Sequence, residues 1–84
     1  MTLKEARKIN PGAIVRESWG HDFNKGLVLA KTHVEGQHRA KMLCQMKEER
    51  YDIVVHWMNG PRSAPRYKNP DKHQNWELMV LKHA

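Results

Sequence analysis

Apolar and polar positions alternate most clearly over residues 51–58, where Tyr51, Ile53, Val55 and Trp57 share one parity and Asp52, Val54, His56 and Met58 the other. A period of two marks a strand with one buried face. Asn59-Gly60 follows at once, the dipeptide that type I′ hairpin turns favour. Residues 14–19 alternate too, with Val15, Glu17 and Trp19 on one face. After a loop over 20–25, Gly26 opens an aliphatic and β-branched run that predicts a strand through Val34. A last strand is predicted over 76–82, with Trp76, Leu78 and Val80 on one face, while Pro61 and Pro65 allow no more than an edge strand before it. At the start of the chain Thr2-Leu3-Lys4-Glu5 fits a capping box and predicts a helical turn over 3–8. Asn10-Pro11-Gly12 closes this arm of residues 1–10, since Pro11 fixes φ and Gly12 accepts φ > 0.

Residues 35–50 interrupt the pattern. Met42, Cys44 and Met46 alternate as in a strand, yet Ala, Lys, Met, Gln and Glu are good helix formers. The expectation leans to a short helix inserted at 37–50; the other reading is an extended hairpin turning at 47–50. Short strands punctuated by Gly and Pro, in 84 residues, predict a single mostly-β domain of about five antiparallel strands closed into a small barrel. Its core would hold Val15, Val28, Ile53, Val55, Leu78 and Val80, with Trp57 and Trp76 filling the interior.

Charge changes the picture more than composition does. Fifteen Lys and Arg face nine acids, for a formal net charge of +6, and the excess is spread along the chain. Such a balance attracts polyanions or an acidic protein surface. No apolar run approaches the roughly 20 residues of a membrane-spanning helix, residues 1–10 lack the apolar stretch of a secretory signal, and the single Cys44 forms no internal disulfide framework. The expected location is the cytoplasm.

The candidate chemistry is that of binding. Six histidines and one cysteine show no zinc-ligand spacing; only His33, His38 and Cys44 stand near enough in sequence to converge, so no metal is expected. Ser18 and Ser63 lack a nucleophile motif, adjacent Glu48 and Glu49 splay apart, and no glycine-rich phosphate loop is present. Neither an enzyme nor a cofactor is expected. Trp19, Phe23 and Tyr67 fall at strand ends or loops, where an aromatic groove rimmed by Lys25, Arg62, Arg66 and Lys68 would stack bases and hold phosphates, or accept an extended peptide. On a helix, Arg39, Met42 and Met46 would form a second, adaptable partner face.

The succession Pro11-Gly12-Ala13-Ile14-Val15, Trp19-Gly20, Gly26-Leu27-Val28-Leu29, Val54-Val55-His56-Trp57-Met58-Asn59-Gly60 and Leu78-Met79-Val80-Leu81 resembles short SH3-like proteins of tailed bacteriophages, especially those of marine bacteria. In outline it is similar to KOW-type modules of transcription and translation proteins. The resemblance covers about residues 9–34 and 51–82 and leaves 35–50 unmatched. It implies an SH3-like barrel, and a phage-encoded module docking on a host protein complex in the host cytoplasm through the insert or the groove. The expectation from charge is nucleic-acid binding with little sequence preference.

Overall fold

The structure is a computed structural model, described over residues 1–19, 24–39, 45–58 and 69–84, with 37–39 and 45–47 described by backbone alone. A helix, α1 (Leu3–Lys8), precedes five strands: β1 (Ile14–Glu17), β2 (Gly26–Arg39), β3 (Gln45–Trp57), β4 (Asp71–Gln74) and β5 (Leu78–Lys82), the last two joined by a 3-10 turn, Asn75–Glu77. They form one antiparallel sheet in the order β4-β3-β2-β1-β5.

α1 begins where its capping box requires. Thr2 Oγ1 accepts from Glu5 N at 3.2 Å, and Glu5 Oε1 accepts from Thr2 N at 3.0 Å. Two otherwise orphaned amides are thereby satisfied. The helix ends at Ile9, and the turn that follows uses Gly12 at φ 98 with Ala13 N donating to Asn10 O. Ala6, Ile9 and Ala13 bury this segment against Val15, Val28, Tyr51, Ile53, Val55, Trp57 and Leu78, while Val80 packs at the margin. Fully burying a side chain of this size is worth roughly 1.5–3 kcal/mol, so the parity read from residues 51–58 selects the inward face.

The sheet is not closed into a barrel, which corrects the expected fold class. β4 and β5 are its two edges and do not pair with each other. Between them the 3-10 turn spends its polar groups locally: Leu78 N donates to Asn75 O, and Gln74 N to Glu77 Oε2 at 3.3 Å. Asn75, buried, fastens the turn inward by accepting from Tyr51 N at 3.0 Å and donating to Met1 O at 3.1 Å. Trp76 therefore lies in the turn, not in the last strand, and is 43% exposed, whereas Trp57 is wholly buried. Beyond the last β3–β4 pair, Asn69 continues the ladder with its side chain, Oδ1 accepting from Trp57 N at 2.7 Å and Nδ2 donating to Trp57 O at 3.0 Å.

The second correction concerns residues 35–50, which form no inserted helix over the described residues. β2 runs past Val34 to Arg39, and β3 begins at Gln45, well before Tyr51. Helix propensities are worth only tenths of a kcal/mol per residue. A hairpin already in register from its core end gains a ladder bond with each added row, and here the ladder prevails. A turn at 47–50 is excluded, because those residues pair with 34–37. The predicted Asn59-Gly60 turn lies outside the described residues.

At Gly26 the side chains of β3 pack directly against the backbone of β2. A Cβ there would overlap Val55 Cγ1 and stand 3.0 Å from Trp57 Cε3, both on buried side chains. Gly26→Ala should therefore destabilise the fold by about 1–3 kcal/mol through overpacking, read as a lower urea midpoint with an unchanged slope.

Candidate nucleic-acid interface

β2 and β3 stay paired from Gly26↔Trp57 to Arg39↔Gln45. Their outer neighbours end much sooner: β1 reaches only Leu27 on β2, and β4 only Asp52 on β3. Seven rows, from His33↔Tyr51 to Arg39↔Gln45, thus form a two-stranded ribbon with no strand on either side among the described residues. At about 3.3 Å per residue the ribbon is roughly 20 Å long, against a greatest molecular dimension of 46 Å.

The base of the ribbon is a set of closed ion pairs. On the face shared with the core, His33 Nε2 lies 2.8 Å from Glu49 Oε1, and Arg7 Nη2 reaches the same oxygen at 3.3 Å. The His33 hydrogen bond, with Arg7 behind it, holds the Glu49 carboxyl below its ordinary range. That linkage strengthens the fold above the ordinary carboxylate pKa and is lost as pH falls through the lowered value. Lys31 Nζ caps α1 through Ala6 O at 2.9 Å and Arg7 O at 2.6 Å, and stands 5.3 Å from the Tyr51 ring centre. On the other face Arg50 joins Glu48 and Asp52, each at 3.1 Å, and Lys72 reaches Asp52 at 3.4 Å.

Glu48, Glu49 and Asp52 each meet a cation where the ribbon leaves the body, and Glu35, opposite Glu49, adds a further acid there. Farther out, residues 37–47 carry Arg39, Lys41, Lys47 and His38 and no acid. By register Gln37↔Lys47 and Arg39↔Gln45 occupy positions on the face that also holds His33↔Tyr51. The result is a ribbon of mixed charge at its root and cationic beyond it.

Of the residues expected to form a groove around 20–25 and 61–70, only Trp19 and Lys25 fall among the described residues. Trp19 is 78% exposed, as a stacking ring requires, but it shares a cleft of about 590 Å³ with Trp76, Met79, Ser18 and Glu5. Ser18 Oγ donates to Trp76 O at 3.2 Å and ties the two walls. Lys25 lines a different cleft, with Ile14, Met58, Leu81 and Lys82. Phe23, Arg62, Arg66, Tyr67 and Lys68 lie outside the described residues, as do Met42 and Cys44. Arg39 and Met46 sit on strands, so the helical partner face of Arg39, Met42 and Met46 does not exist. Trp76 was expected in the interior, and its exposure comes from the 3-10 turn, which a period of two does not reveal.

Among the described residues no group of three His, Cys, Asp or Glu could hold a metal ion. His73 approaches Asp71 and Glu77 at 2.9 Å each and meets the Trp57 ring edge-on at 5.4 Å, which ties β4 to the 3-10 turn. No protein-family model matches the chain, and no curated protein or solved structure is significantly similar to it. With the open sheet, that removes the resemblance to SH3-like phage proteins and KOW-type modules, and with it the phage origin.

Proposed function

We propose that this chain is a non-enzymatic nucleic-acid-binding module that engages its ligand with the β2–β3 ribbon, mainly through phosphates and hence with little sequence preference. The observation that supports this reading is the ribbon itself, seven rows long, unflanked by any strand among the described residues, and cationic beyond a root of mixed charge. The major groove of duplex DNA, about 12 Å wide, admits a two-stranded ribbon. Lys and Arg on phosphates fix position without carrying sequence information.

The test is a titration of duplex and single-stranded oligonucleotides of unrelated sequence across a salt series. Three phosphate contacts, from Arg39, Lys41 and Lys47, imply a log–log slope of roughly −2.7 on duplex. Affinities should agree within a few-fold among sequences. A flat salt response, or no binding at low ionic strength, removes this function.

A further inference from the structure

The end of the sheet away from the ribbon carries a second feature. In the β1–β5 pairing Ile14 faces Lys82 and Val15 faces Val80, so Leu81 is an extra residue in β5. Strict alternation would send Leu81 and Lys82 to opposite faces. A bulge re-aims side chains, and here both residues line one cleft of about 540 Å³ with Ile14, Lys25 and Met58. Met58 is 50% exposed and Leu81 46%. Among the described lining residues the charged side chains are Lys25 and Lys82, both positive.

We propose that this cleft docks an extended protein segment presenting a large apolar side chain flanked by carboxylates. Ile14, Met58 and Leu81 form an apolar floor, and Met adapts its shape to an incoming side chain. The two ammonium groups select the acidic flanks and disfavour basic ones, which is the complementarity that directs partner choice. A volume of this size lies within the range of built ligand sites. Among the described lining residues there is no aromatic ring for a nucleobase to stack on. Generic strand addition is opposed as well, since a bulge twists the edge of β5 out of register for an incoming flat strand. The site is separate from the ribbon, and the inference does not rest on the nucleic-acid reading.

The experiment selects a randomised heptapeptide library on the whole chain and measures the enriched peptides by fluorescence anisotropy. Enriched sequences should combine net negative charge with at least one large apolar residue. The Met58 methyl signal should shift on binding, and Lys25→Glu/Lys82→Glu should lower affinity at least tenfold. Leu81→Ser should do the same with the charges intact, and both variants should keep the parent's circular dichroism because the altered side chains are exposed. Enrichment of basic or uncharged peptides overturns the proposal, as does no enrichment, or binding that leaves Met58 unshifted. Displacement of a bound peptide by an oligonucleotide in the full-length chain carrying Arg39→Glu/Lys47→Glu, which removes the ribbon's attraction for phosphates, would assign the cleft to nucleic acid instead.

Discussion

Val55→Asp should abolish the cooperative fold. Val55 is wholly buried on β3, paired with Val28 on one side and Asp71 on the other. A Cβ on Gly26 would overlap Val55 Cγ1, so the neighbourhood has no slack for a hydrated carboxylate. An ionised group left there without a partner costs several kcal/mol even after relaxation. A domain of this length has roughly 4–13 kcal/mol in total, and small domains sit toward the lower end. The expected result is collapse of amide dispersion in the proton–nitrogen NMR spectrum and no unfolding transition. His56→Asp is the control one position along: His56 is exposed, and that variant should stay within about 0.5 kcal/mol of the parent. A dispersed, parent-like spectrum from Val55→Asp would sink the core assignment.

The inward face was legible because hydrophobic alternation and burial are the same fact seen twice. Val15, Val28, Ile53, Val55 and Leu78 are buried where a period of two put them, and the capping box and the Gly12 turn stand where their side-chain chemistry requires. The ribbon was not legible, for a physical reason. Its rows have no sheet neighbour to impose a buried parity, so residues 35–50 alternate weakly, and helix propensity was the stronger local signal. Sheet closure also escaped the sequence, because it depends on whether edges β4 and β5 meet in space. The same holds for the bulges at Leu29 and Leu81: one extra residue inverts the parity of everything beyond it.

These two classes of error divide the molecule usefully. The residues read well make the body, and those read poorly make the surfaces proposed to bind: the ribbon, held out by pairing alone, and the cleft shaped by a bulge. Stability and binding should therefore be separable by mutation.

Excision of the outer ribbon tests that separation. Glu35 and Glu49 are register partners, so replacing residues 36–48 by Asn-Gly joins them through a two-residue type I′ turn of the kind antiparallel pairs favour. Every buried core residue remains, as does the Arg7–Glu49–His33 cluster that braces the root. The piece removed carries Arg39, Lys41 and Lys47 against Glu48. Thermal unfolding should stay cooperative, with a midpoint within a few degrees of the parent. Oligonucleotide affinity at low salt should fall at least a hundredfold. The salt slope on duplex should flatten by about 0.9 for each phosphate no longer neutralised, up to roughly 2.7. Arg39→Glu/Lys47→Glu in the full-length ribbon should account for most of that effect without shortening the chain. If the excised chain folds and binds oligonucleotides with the parent's affinity and slope, the ribbon is not the interface.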